Sequence, residues 1–381
     1  MGSLRHRLAG HWSSVSPKYF RSGVPLRHNV GHVVAVFIPA DLKSIPVCDM
    51  TTTASASPKV AIVCAAQGLA AALANHLRSV DWVFVDPTGA DLAEDLAGMD
   101  AVVHAWIDPD LSVPDPFRGD LSAALTAKLL STCSQVGTKH VILLSSAMVY
   151  GASPTNSIPL KDDAPLRANG EVGVVQDLLD AEEQFRQWDD QSDACVSIVR
   201  PAVVFGDSID TAFLRHFEAP RLLFLKGSVP AWQFVHIDDL ATALECVIEN
   251  SIAGVVPVGA SGWLMQEEIE AISGISRLEL PAAAVMSTAS RLHHHGVTPA
   301  PAEELDFIRY PWVIDSTVLA NHGWTAACTN QQVVEALMEQ AQGRIAIAGR
   351  RVGRSEVTAL TAAAAVLTAA ALLRARRRRG V

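Results

Sequence analysis

The chain has 381 residues, 49% of them apolar and 18% charged, a composition that excludes a disordered chain and supplies a sizeable core. That length suits one large α/β domain with additions, or two modest domains. Lys and Arg number 30 against 40 Asp and Glu, for a formal charge of −10, which argues against nucleic-acid binding over a broad surface. The six cysteines stand singly, with no Cys-x-x-Cys pair. Neither a zinc site nor a disulfide framework is indicated, and the expected compartment is the reducing cytosol.

Residues 1–49 carry six Lys or Arg and no acid before Asp41. The run Val33-Val34-Ala35-Val36-Phe37-Ile38 is too short to span a membrane and is followed by no cleavage signature. Met50 then opens a polar stretch through Pro58, of the kind found at a natural start, directly ahead of an apolar strand. Residues 1–57 therefore read as an extension outside the core. They are either upstream sequence ahead of the start or a basic targeting or membrane-surface arm.

From Lys59 the chain alternates short β-branched runs with helical segments. Val60–Cys64 reads as a buried strand, Leu69–Leu77 as a helix, and Trp82–Val85 as a second strand closed by Asp86. Ala101–His104 and His140–Leu144 are further strands, with a helix near Leu121–Val136 between them. Val196–Val199 and Val255–Val258 continue the series. Strands alternating with helices predict a Rossmann-like, doubly wound parallel sheet with its ligand crevice at the carboxyl ends of the strands. No repeat or low-complexity linker divides residues 58–343, which read as one unit with a small C-terminal substrate lobe.

Residues 344–381 read as a linker, a C-terminal hydrophobic helix over 357–373 and an Arg-rich end. The 17 residues from Val357 to Leu373 contain no charge or proline, and eight of them are alanine. At about 1.5 Å per residue they fall short of the roughly 30 Å hydrocarbon core. Arg374 and Arg376–Arg379 suit an anionic cytoplasmic leaflet. The expectation is a cytoplasmic domain associated with the membrane through residues 357–379, spanning or lying on the surface. An Ala-rich helix docked on the protein is the plainer alternative.

Four local patterns occur in the order and spacing of a known family. Asp100-Ala101-Val102-Val103-His104-Ala105 looks like its fourth strand, and Lys139–Gly151, containing Ser145-Ser146-Ala147-Met148-Val149-Tyr150, like its catalytic-serine strand. Val199-Arg200-Pro201-Ala202-Val203-Val204-Phe205-Gly206 resembles the strand leading into the substrate lobe, and Phe234-Val235-His236-Ile237-Asp238-Asp239-Leu240-Ala241 the late VHVDD-A signature. Over roughly residues 59–340 the chain thus resembles the NAD-dependent epimerase/dehydratase family, the extended short-chain dehydrogenase/reductases. The resemblance implies NAD as cofactor, a nucleotide-sugar-like small molecule as substrate and a homodimer. It places His104, Ala105 and Pro201 beside the nucleotide.

The departures from the family pattern bear on activity. A Gly-rich turn after the first strand lets backbone N–H groups approach the pyrophosphate. The family's three glycines align with Cys64, Gln67 and Ala70. The Gln67 side chain points where the pyrophosphate should lie, while Gly68, one position late, could rescue the turn. Asp86, 22 residues after Cys64, stands where an acid would accept from ribose hydroxyls and favour NAD. Asp91-Leu92 resembles the family's adenine-contacting pair.

Hydride transfer in this family needs a Tyr acid/base tuned by a Lys four residues on, with a Ser or Thr polarising the substrate. Ser146 matches the serine. The Tyr and Lys should lie on a helix that ends in a Glu four residues past the Lys. Anchoring on Glu183 puts Val175 and Leu179 at those positions; anchoring on Glu182 gives Val174 and Leu178. No tyrosine occurs between Tyr150 and Tyr310, and no lysine between Lys161 and Lys226. Both acid/base groups are therefore aliphatic in either register. His293-His294-His295 diverge as neighbours on one segment and read as surface or lobe-lining residues rather than metal ligands. His236 with Asp238 and Asp239 reads as a helix cap tying lobe to core.

Two functions follow. One is a catalytically impaired relative, a pseudoenzyme acting as a nucleotide-sensing or partner-binding module at the membrane. The other is an active NAD-dependent nucleotide-sugar epimerase/dehydratase or oxidoreductase with atypical catalytic residues.

Overall fold

The computed structural model describes residues 57–64, 68–110, 119–168, 173–295 and 301–341, with the backbone of 346–347 and 350–351. Residues 1–56 of the 1–57 extension, Gln67 and the apolar run 357–373 with its arginines lie outside these described residues.

Five β-branched runs form strands buried along nearly their whole length: β1 (Lys59–Val63), β3 (Ala101–His104), β4 (His140–Leu144), β5 (Cys195–Pro201) and β10 (Gly254–Val258). With β2 (Asp81–Val85) they make one six-stranded sheet in the order β10-β5-β4-β3-β1-β2. All its pairings are parallel, with Val63 opposite both Val85 and His104, and Leu144 opposite Val199. Parallel strands need covered faces, which is why the runs are continuous rather than alternating in polarity. The helices supply that cover: α1 (Gly68–Ala74) packs on α6 (Ile237–Asn250), and α3 (Asp120–Val136) packs on both α2 (Leu92–Leu96) and α4 (Val174–Asp189).

Chain direction across the sheet reverses between β1 and β3, which places the topological switch point at Cys64 and Ala105. Among the described residues no strand lies outside β2, because α2 follows it after one turn. β2 is therefore an edge strand, with Val83 44% and Phe84 38% exposed.

The lobe is built from short ladders: β6 (Val203–Phe205) with β9 (Phe234–His236), β7 (Leu222–Leu225) with β12 (Arg277–Leu280), and β8 (Ala231–Trp232) with β11 (Leu264–Met265). Buried polar side chains fasten it to the sheet. Gln233 donates to the carbonyls of Ala260 and Ile314 and accepts from the Ile314 N–H, while Asn330 accepts from Phe234 N–H at 2.8 Å. At the start of α6, His236 accepts from Asp238 N–H at 3.3 Å. Asp239 accepts from the N–H groups of Ala327 and Cys328 at 2.8 and 3.0 Å. Of the three residues read as a helix cap, His236 alone caps the helix, while Asp238 pairs with His76 Nδ1 and Asp239 holds the later segment; no group of three potential ligands positioned for a metal occurs among the described residues.

Candidate functional site

The switch point brings together the turn after β1 and the loop after β3. Gly68 opens α1 with φ of +68°, a conformation that glycine adopts without penalty. Ala105 N–H donates to Val63 O at 2.9 Å, holding the end of β3 against β1. Three residues further on, the Asp108 carboxylate lies against Gly68 and Leu69. It accepts from Leu69 N–H at 3.3 Å and from Asp110 N–H at 3.0 Å. A methyl group on Gly68 would stand 1.8 Å from Asp108 Oδ2, so the cradle that glycine opens is filled by this side chain. Burial raises the Asp108 carboxyl above the usual carboxylate range, and the nearby Asp110 charge adds to that. Asp110 accepts from Ala212 N–H at 2.9 Å, which joins the loop to the lobe.

The other residues expected at a dinucleotide are placed as follows. Asp86 is exposed at the end of β2. Its Oδ1 accepts from the N–H and hydroxyl of Thr88 at 2.8 and 2.7 Å, closing a local turn. Lys128 reaches the same turn, donating to Gly89 O at 2.9 Å. Asp91 is exposed at the start of α2 and Leu92 is in the core. Pro201 is buried at the end of β5. His104 is fully buried: its ring lies 3.6 Å from that of Trp106, centroid to centroid, and edge-on to Phe185. Thr126 Oγ1 already donates to Ser122 O, so the His104 Nε2–H donates to Thr126, at 3.0 Å. Burial lowers its pKa to about 3, and the imidazole stays neutral.

Past β4, Ser146 caps a single 3₁₀ turn (Ala147–Tyr150), its hydroxyl accepting from Met148 N–H at 3.3 Å. Tyr150 is fully buried. Its hydroxyl donates to Asp162 O at 3.3 Å, and the Arg200 guanidinium lies 4.5 Å over its ring. Burial pushes the phenol pKa up.

The dominant electrostatic feature is a carboxylate, Glu182. It is fully buried and takes Arg200 Nε at 2.9 Å and Nη2 at 2.5 Å, Arg186 Nη2 at 2.5 Å and the Ser145 hydroxyl at 2.6 Å. Burial disfavours the Arg200 cation, but the Glu182 hydrogen bonds and charge outweigh it and hold the guanidinium charged. Glu183, by contrast, leaves its side chain 59% exposed. One helical turn and two turns before Glu182 on the same face stand Leu178 and Val174, both fully buried; Val175 is buried beside them and Leu179 is half-buried. The sequence patterns single out Ser146 and the aliphatic pair, but not Ser145, Arg200 or Asp108. A serine pair before a 3₁₀ turn and an arginine inside an apolar strand were the available signals for the first two. Asp108 carried none.

Residues 44–259 match the model of the NAD dependent epimerase/dehydratase family. An uncharacterized protein of Mycobacterium tuberculosis is 26% identical over 200 residues, which are 52% of this chain and 53% of that protein. The chain thus spans about half the length of the curated relatives it matches. Among solved structures, UDP-glucuronic acid 4-epimerase from Bacillus cereus, in complex with UDP-glucuronic acid and NAD, superposes with a TM-score of 0.54 at 16% identity, over 74% of this chain and 99% of that one. The dTDP-glucose 4,6-dehydratase of Bacillus anthracis, in complex with NAD, gives 0.56 at 13% identity, over 75% and 96%. These likenesses establish the fold.

Proposed function

The chain belongs to the NAD-dependent epimerase/dehydratase family, and from that premise we propose that it is a catalytically impaired member, a nucleotide-sensing or partner-binding module rather than an enzyme. The observation that carries this reading is the fully buried carboxylate of Glu182 in α4, bound to Arg200. On this reading Glu182, the inward-facing acid, anchors the register, and the family's Tyr and Lys positions then correspond to Val174 and Leu178, both buried. The neighbouring register, Val175 and Leu179, is aliphatic as well. An aliphatic side chain cannot exchange a proton, and such general acid–base help contributes about 10² to 10⁴-fold in rate. Ser146 then serves as a turn cap rather than a catalyst.

NAD is the dinucleotide this reading assigns, with Asp86 as the ribose contact and a nucleotide-sugar-like molecule as the second ligand. NAD supplies hydride transfer when bound. The filled cradle at Gly68 fits its pyrophosphate poorly, which supports weak binding. Purified protein should give no NADH production or epimerisation with nucleotide sugars. Robust turnover, abolished by Ser146→Ala, would establish the second reading, an active enzyme with atypical groups, which rests on the sequence matches of Ser146 and Asp86.

The membrane is the proposed location, through residues 357–379 with the folded domain in the cytoplasm. The sequence supports this with an uncharged run followed by five arginines, each worth about 1 kcal/mol near an anionic leaflet. Full-length protein should sediment with membranes and a chain ending at Arg354 should not; equal solubility of the two would refute the anchor. Homodimerisation rests on the family resemblance, and sedimentation velocity tests it.

A further inference from the structure

We infer that Asp108 is an internal anion standing in the place of the dinucleotide pyrophosphate, and that it is the residue that sets how weakly this chain binds NAD. The inference rests on the NAD assignment above and deepens it. Its basis is steric and electrostatic. In a doubly wound sheet the pyrophosphate lies at the turn after β1, against backbone N–H groups that a glycine leaves uncovered. Here that glycine is Gly68, and the space beside its Cα is occupied by a carboxylate oxygen at 1.8 Å from the Cβ position. The Leu69 N–H, which would face a phosphate oxygen, donates instead to Asp108. An entering pyrophosphate would meet a like charge as well as occupied volume, and like charges at one site disfavour each other most where water is scarce.

The carboxylate is also held in position. Asp110 N–H binds its second oxygen at 3.0 Å. Asp110 is itself anchored through Ala212 N–H at 2.9 Å, with Arg215 Nη2 at 4.0 Å from its other oxygen. Trp106 and Ile107, both buried, fix the chain between β3 and Asp108. Displacing the carboxylate therefore disturbs a loop tied at both ends, which makes it a standing occupant of the turn rather than a surface side chain lying across it. The physical consequence is competition: NAD must expel Asp108 before its phosphates can use the same N–H groups.

Calorimetric titration of the full chain with NAD tests this in wild type, Asp108→Ala and Asp108→Ala combined with Asp86→Ala, with melting temperatures confirming that each is folded. Asp108→Ala should bind NAD at least tenfold more tightly than wild type, and removal of Asp86 should abolish most of the gain. Asp108→Asn, which removes the charge and keeps an acceptor for only one of the two N–H groups, should tighten binding in the same direction and serves if the alanine variant fails to fold. Unchanged, weaker or undetectable binding in the folded variant would overturn the role of Asp108 and leave the catalytic reading standing. Turnover by wild-type protein would overturn the catalytic reading whatever Asp108 does.

Discussion

Glu182 balances the charge of Arg200 in the buried core beside β5. Buried ion pairs are weak stabilisers as pairs, yet removing one partner leaves the other charged and desolvated, at a cost of about 3–5 kcal/mol. Glu182→Ala should therefore lower unfolding stability by about that amount, since Arg200 is 1% exposed and loses both its bonds. Glu183→Ala, one position on, should change stability by less than about 0.5 kcal/mol, as exposed side chains usually do. Urea unfolding of the two variants separates them, and equal losses would contradict the assignment of the inward face. Sequence alone left Glu182 and Glu183 equivalent, because what separates them is the partner Arg200, a strand residue 18 positions on. Asp108 was illegible for a similar reason: its partner, Leu69, is 39 residues away, and an acid in a loop looks the same whether it faces solvent or a glycine.

Elements were far more legible than their contacts. Each predicted strand of the large sheet appears within one or two residues of its expected bounds, since a β-branched run bracketed by helical segments has one favourable placement in a parallel sheet. The late His-Asp-Asp pattern was legible as a helix start, where the first N–H groups lack intrahelical partners, and it is His236 that accepts one of them, from Asp238. What the pattern does not reveal is that Asp239 looks outward, to Ala327 and Cys328, and so ties α6 to a segment 88 residues later. Asp239→Ala leaves two backbone donors without their acceptor and should cost about 1–3 kcal/mol. Asp238→Ala, at a 62% exposed side chain, should cost much less. Protease sensitivity of the segment around Ala327 provides a second readout, and unaltered cleavage in Asp239→Ala would show that the segment is held by other contacts. The exposed edge at β2 was not foreseen, because the missing outer strand leaves no mark except a short interval between Asp86 and Leu92.

At the scale of the whole molecule the buried histidines dictate how stability responds to acid. His104, His140 and His216 are held neutral by burial, with pKa values lowered from 6.5 to about 3, about 4 and about 4. Their surroundings explain why protonation is refused. His140 Nε2–H donates to Ser197 Oγ at 2.7 Å, because that hydroxyl gives its own proton to Ile252 O. His104 Nδ1 and His216 Nε2 face no hydrogen-bond partner among the described residues, so a second proton there would be buried and unbonded. A folded pKa below the unfolded one means the unfolded chain takes up protons first as the pH falls. The histidine contribution is thus complete above about pH 6.5 and is lost progressively below it, down to the folded values near 3–4. Between pH 7.5 and 5.5 each histidine should forfeit about 1 kcal/mol, or about 3–4 kcal/mol for the three together as an upper figure. Asp108 and Asp306, raised chiefly by burial, act in the opposite sense, because a carboxyl that protonates more readily in the folded chain adds stability as the pH drops through its folded pKa. Urea midpoints measured at pH 7.5 and 5.5 should fall accordingly, and His140→Asn should remove about a third of the difference. A midpoint unchanged over that interval would show that the three imidazoles titrate alike in the folded and unfolded chains.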